Sequence, residues 1–236
     1  MRREKNSETK MLLFDIDLTL LYTGGVGRFA FNNAFKKVFG IDEVWGNTNP
    51  QGKTDRLIFD EIALRVLNRK LREKEYRNLL EIYVRDFKRM IKIKTLGDFR
   101  LMPGIPKLLQ TLVKSDRFIL GLATGNVEEV AWAKLGRENL ARYFRFGGFG
   151  SDSGERPKIV KTAIRRGRKL LRKRIPPERI FMVGDAFQDI DAARKTGIRS
   201  IAVATGKLDL NQLKEFNPDF ILPDLSDSER FLSIVR

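Results

Sequence analysis

Two carboxylates stand two residues apart in Phe14-Asp15-Ile16-Asp17-Leu18-Thr19. They follow directly on the apolar run Met11-Leu12-Leu13-Phe14, which reads as a buried strand opening a βα pattern. Both acids therefore sit at the carboxyl end of a strand, the edge of an open α/β sheet where ligands bind. Acids this close repel each other in a poorly solvated site unless a cation or a shared proton relieves them. The spacing suits a hard metal ion, a nucleophile or an acid/base pair.

Three further polar clusters follow apolar runs. Thr124-Gly125-Asn126 comes after Phe118–Ala123 and offers a hydroxyl and two amides that could lie at a helix N-terminus, a natural phosphate site. Gly184-Asp185-Ala186-Phe187-Gln188-Asp189 comes after Ile180–Val183, with two acids four apart. Gly154-Glu155-Arg156-Pro157-Lys158 opens a basic helix and brings cations to the same edge. Singly, each has a plainer reading: Thr124 and Asn126 as helix caps, Asp185 as a turn residue, Arg156 and Lys158 as solvated cations. Their recurrence after successive strands, all on one edge of one sheet, points to a site.

The elements that must position these groups alternate. Strands over 118–123, near 146–149, over 180–183, 200–203 and 220–222 are interleaved with helices, including one over 105–113, which predicts a mostly parallel sheet covered on both faces. Between Leu21 and Leu101 the pattern shows helices only: one after the glycine-rich stretch 23–27 and ended by Gly40, then 54–67 and 73–93. That segment is too large for a simple crossover. The economical division is an α/β core made of residues 1–22 and 102–236, with a helical domain over 23–101 inserted after the first strand. Hinges are expected near Tyr22–Gly25 and Asp98–Pro103.

Composition narrows the chemistry. The chain of 236 residues has neither Cys nor His, which removes disulfides, thiolate nucleophiles and the commonest zinc ligands. Oxygen donors remain, and these favour Mg2+. No apolar run is long enough to span a membrane, and Met1–Glu8 is charged, without the apolar segment of a signal peptide; a cytoplasmic protein is expected. The net charge of +16, from 46 basic and 30 acidic residues, attracts anions. The densest basic stretch runs from Arg156 to Arg179. There Lys161, Arg165, Arg168, Lys169 and Arg172 share a helix with apolar residues, either as a solvated face or as a polyanion patch.

Taken in order, these motifs resemble the haloacid dehalogenase-like hydrolase superfamily, in its phosphoglycolate phosphatase-like branch with a helical cap. Asp15-Ile16-Asp17-Leu18-Thr19 matches the first motif, Thr124 the second, and Gly184-Asp185 through Asp189 the fourth; Met102-Pro103-Gly104 and Gly52-Lys53-Thr54-Asp55 also look like segments of this branch. The resemblance spans nearly the whole chain and implies a Rossmann-like, doubly wound α/β core. It implies a Mg2+-dependent phosphatase acting on a small phosphorylated metabolite. Asp15 would be the nucleophile, forming an aspartyl phosphate, and Asp17 the proton carrier. Asp15, the Asp17 backbone carbonyl and Asp185 would hold the metal. Asp189 would belong to the same metal group, orienting the site or its cation more than serving as a primary ligand. Thr124 and the Gly125 and Asn126 amides would hold phosphate oxygens.

The third motif departs from the family pattern. Arg156-Pro157 stands where Lys-Pro is usual, with Lys158 just after; Lys158 is the expected partner of Asp15 and the phosphate, and Arg156 the alternative, able to bind phosphate bidentately. Asp17 argues against dehalogenation, which needs no leaving-group proton. Sugar phosphomutases of this cap type commonly use a cap His, absent here. Phosphonate hydrolases use a cap Lys as a Schiff base, for which Lys53 is the candidate. A binding protein on the same scaffold, with nucleic acid as partner, would not need the intact acid set. No oligomeric state is expressed in the sequence.

Overall fold

The computed structural model describes residues 9–93 and 98–236; the Met1–Glu8 stretch, where no signal peptide was expected, lies outside them. The apolar run that opens the chain is strand β1, Lys10–Phe14, at the centre of a six-stranded parallel sheet. Its neighbours are β4, Phe118–Ala123, and β6, Ile180–Gly184, with Leu12 opposite Leu120 on one side and Phe181 on the other. The sheet is completed by β5 (Gly147–Gly148) beyond β4, and by β7 (Arg199–Val203) and β8 (Phe220–Leu222) beyond β6. Strand order reverses direction between β1 and β6. This is the switch point beside which α/β sheets open a crevice for ligands.

Alternating side chains of β1 feed two cores, the two-residue period of a strand. Leu12 and Phe14 pack with Leu108, Leu112, Leu135 and Phe231. These come from α4 (Lys107–Val113), α5 (Glu128–Arg137) and α9 (Ser228–Val235). Met11 and Leu13 point the other way, to Val160, Ala163 and Ala193 of α6 (Arg156–Leu171) and α7 (Phe187–Thr196). Because both faces are covered, β1 reads as a continuous apolar run instead of an alternating one. The edge strand β5 is shorter than the expected 146–149, and its glycines have a packing reason. A Cβ on Gly148 would fall 2.1 Å from the Ile159 carbonyl, so only a bare backbone lets α6 approach. Helix α4 starts at Lys107, two residues later than expected.

The segment after β1 departs from the expectation in its strands, and the helix expected over 73–93 ends at Met90. Two short strands border it, β2 (Leu21–Thr23) and β3 (Phe99–Leu101), paired antiparallel with Leu21 opposite Leu101. Three residues are too few to show a period, so neither strand was visible in the sequence. Both expected hinges thus join in one ribbon. Beyond it α1 (Val26–Phe39), α2 (Asp55–Leu67) and α3 (Glu73–Met90) build their own aromatic core of Phe31, Phe35, Phe59, Tyr83 and Phe87. Helix α1 ends at Gly40 in the left-handed region, φ 71°, as the sequence predicts. The short α8 (Leu210–Lys214) connects β7 to β8. No helix among the described residues is long and apolar enough to cross a membrane.

Candidate active site

The carboxyl ends of β1, β4 and β6 bring most of the predicted groups together. Asp15 follows β1 and Asp185 follows β6, and both are buried. Oxygens of Asp15, Asp185 and Asp189 lie within 4.8 Å of one another. Burial pushes the Asp15 carboxyl up to about 6 despite the neighbouring Arg156 guanidinium. It pushes Asp185 up to about 8, with the negative charges of Asp15 and Asp189 adding to the rise.

Arg156 is the cation that meets this cluster. Its Nη2 is 2.8 Å from Asp15 and 2.6 Å from Asp189, and its side chain is only 6% exposed. Its Nε also donates to Asp189, at 3.0 Å. Lys158, the expected partner, is instead 62% exposed and pairs with Glu155. Helical phase explains the correction. Arg156 lies four, seven and eleven residues before the buried Val160, Ala163 and Gly167, whereas Lys158, about 200° around the helix, is in phase with exposed Lys161 and Arg165. That phase was readable in the sequence.

Asp189 uses one oxygen for Arg156 and accepts the Ala186 amide on the other at 3.2 Å, so its carboxylate fixes the guanidinium and the turn after β6. Asp185 accepts Thr19 Oγ1 at 3.2 Å and Gln51 Nε2 at 2.8 Å. Gln51 belongs to the loop between α1 and α2, so the insert reaches the acid cluster.

Lys134 was not anticipated. It is 5% exposed, and its Nζ lies 2.7 and 2.6 Å from the two Asp17 oxygens and 2.8 Å from Asn126 Oδ1. The signal was a Lys on the apolar face of α5, four and three residues after the buried Val130 and Ala131. A buried ammonium must be paired, and Asp17 supplies the charge.

The turn after β4 differs from the expected phosphate cradle. Thr124 is buried, but its Oγ1 accepts the Asn126 amide at 3.3 Å. The next amide, of Val127, is taken by Asp55 Oδ2 at 2.8 Å, and the Asp55 amide donates to the Gly125 carbonyl at 2.9 Å. A carboxylate from α2 thus occupies the anion position at the N-terminus of α5. Burial pushes Asp55 up to about 6, with the nearby Lys134 ammonium and the Val127 amide opposing. A Cβ on Gly125 would fall 2.1 Å from the Lys53 carbonyl, so the insert loop rides directly on this turn. Lys53 itself pairs with Glu61.

Core and insert enclose a cavity of about 540 Å3. Asp15, Asp17, Thr124, Lys134, Arg156 and Asp185 line it from the core; Arg28, Trp45, Gln51 and Lys53 line it from the insert. Within the buried acid cluster the charge is unbalanced. Lys134 offsets Asp17, but the single guanidinium of Arg156 faces three buried carboxylates. Either protons or a cation must make up the difference. The donor set is all oxygen in a chain without His or Cys, which fits a hard divalent ion such as Mg2+.

A family model described as haloacid dehalogenase-like hydrolase matches residues 12–203. A phosphoglycolate phosphatase of Aquifex aeolicus is 28% identical over 220 residues, 92% of this chain and 94% of that protein. Pyrophosphatase PpaX of Listeria monocytogenes is 26% identical over 229 residues, 95% of each. Among solved structures, a β-phosphoglucomutase from Clostridium difficile superposes with a TM-score of 0.72 at 21% identity, over 96% of this chain and 97% of that one. That last likeness bears on the fold.

Proposed function

The chain belongs to the haloacid dehalogenase-like hydrolase family, and from that membership and the site geometry we propose a phosphatase that uses Mg2+ to hydrolyse a small cytoplasmic phosphomonoester. The observation that carries the reading is the buried cluster of Asp15, Asp185, Asp189 and Arg156 at the floor of a cavity that the helical insert covers as a cap.

Asp15 is the nucleophile. One of its oxygens bonds to phosphorus as the P–O bond to the leaving group breaks, giving an aspartyl phosphate. Arg156 orients Asp15 by the 2.8 Å contact and is itself fixed by Asp189. Asp17 gives a proton to the leaving oxygen and takes one from the water that then hydrolyses the acyl phosphate. Lys134 sets where that carboxylate points. The Thr124 hydroxyl and the Gly125 amide face the transferred phosphoryl group. Asp15, Asp185 and the Asp17 carbonyl would hold Mg2+, which when bound offsets the negative charge shared by carboxylate and phosphate.

The cavity volume falls in the range of small-molecule sites. Phosphate release from p-nitrophenyl phosphate with Mg2+, followed by kcat/KM for a panel of phosphorylated metabolites, tests the reading. Equal rates for wild type and Asp15→Asn would refute it.

A further inference from the structure

The basic helix α6 has unlike ends. Arg156, at its start, is buried against Asp15; Arg168 lies about 18 Å farther along, at 1.5 Å per residue. Between them Lys161 and Arg165 lead up to Arg168, and the three, spaced by four and three residues, share one helix face. With Arg174 they line a groove of about 480 Å3 over Ile164, Pro177 and Ile198. Pro177 and Ile198 precede β6 and β7, so the groove opens at the amino edge of the sheet, opposite the candidate active site.

Among the described residues, no carboxylate lines this groove. Among the described residues, none of Lys161, Arg165, Arg168, Arg172, Lys173 or Arg174 has a carboxylate oxygen within 4.0 Å. Arg166, turned away on the same helix, does: it grips Asp152 at 2.6 and 2.8 Å. Arg168 gives Nη2 to the Ile175 carbonyl, while its Nε is buried without a partner, as is Lys173 Nζ. The helix dipole accounts for cations in the last turn, worth about 0.3–1 kcal/mol each. It does not reach Lys161 and Arg165, a turn or more earlier. Like charges four residues apart there oppose the helix by about 0.2–0.5 kcal/mol. The stripe works against the helix that carries it, and an external anion would reverse that.

The geometry points to a second binding site in this groove, for a compact polyanion carrying two or more phosphate groups. Successive cations on the α6 face stand roughly 5–6 Å apart, close enough to share one such ligand, and Arg174 closes it from the following loop. Arginines suit phosphate because the guanidinium can bind it bidentately. The groove is of small-molecule size, and no aromatic side chain lines it to stack a base, which favours a small polyphosphate over single-stranded nucleic acid.

Calorimetric titration of tripolyphosphate at 0.15 M NaCl in EDTA tests the site, with wild type against a Lys161→Ala/Arg165→Ala/Arg174→Ala variant. The expected result is a more than tenfold loss of affinity in the variant, with p-nitrophenyl phosphate turnover within twofold of wild type. Arg165→Glu alone, at an exposed position, gives an independent loss of the same sign if the triple variant expresses poorly. Equal affinity in wild type and variants would overturn the proposal. So would binding of a 20-nucleotide RNA that depends on these residues while tripolyphosphate does not bind.

Discussion

At the carboxyl edge of the sheet, Arg156 lies between Asp15 and Asp189 and Lys134 clasps Asp17. At the other end of the Arg156 helix, the cations from Lys161 to Arg174 lining the groove meet no carboxylate. Solvent makes the difference. A buried charge without a partner costs several kcal/mol, so the carboxyl edge is tied into a network in which each group fixes another. Exposed charges such as those of Lys161, Arg165 and Arg174 are screened and need no partner. The two edges should therefore answer substitution in opposite ways.

The largest effect is expected at the carboxyl edge: Asp15→Asn should reduce Mg2+-supported p-nitrophenyl phosphate hydrolysis by at least about 1000-fold, because no other group replaces the proposed nucleophile. Arg156→Met should come next. It strands Asp15 and Asp189 in the interior and should lower stability by about 3 kcal/mol, read as a fall in urea midpoint, with activity falling as well. Lys158→Ala should leave both unchanged; a loss there similar to that of Arg156→Met would restore Lys158 to the site.

Lys134→Met should lower kcat about 10-fold to 100-fold with little change in KM, since it frees Asp17 from its orientation without touching the nucleophile. A loss confined to KM would instead make Lys134 a substrate ligand. The effect of pH is smaller and has a definite sign. Asp185, raised from 3.8 to about 8, holds a proton in the folded cation-free chain that the unfolded chain releases. Stability of that form should therefore fall as pH rises from about 4 to 8. A divalent cation replaces the proton, so its affinity should rise about tenfold per pH unit over the upper part of that window. The rise in Tm on adding Mg2+ should be greater at pH 8 than at pH 6, and the reverse order would remove Asp185 from the metal site. At the opposite edge, neutralising the groove cations should leave turnover untouched.

Much of this was legible in the chain. Buried strands show as uninterrupted apolar runs, and a polar residue that ends such a run must sit at the sheet edge; that placed Asp15, Thr124 and Asp185. The three insert helices and the Gly40 stop were equally local features. The phase of α6 separated Arg156 from Lys158, and the apolar face of α5 marked Lys134, although neither signal alone says what the buried cation meets.

Amino-acid order by itself determined the parallel core, the helices that follow its first strand, the family motifs and an oxygen-only donor set, because each depends on residues near one another in sequence or on composition. Tertiary structure alone decided the pairings. Asp55 and Val127 are 72 positions apart, and Gln51 and Asp185 are 134 apart. Nothing in the local pattern of a helix-starting Asp or a loop Gln foretells those contacts. Burial then converts proximity into chemistry: once water is removed, Asp15, Asp185 and Asp189 must share a guanidinium, protons or a metal ion.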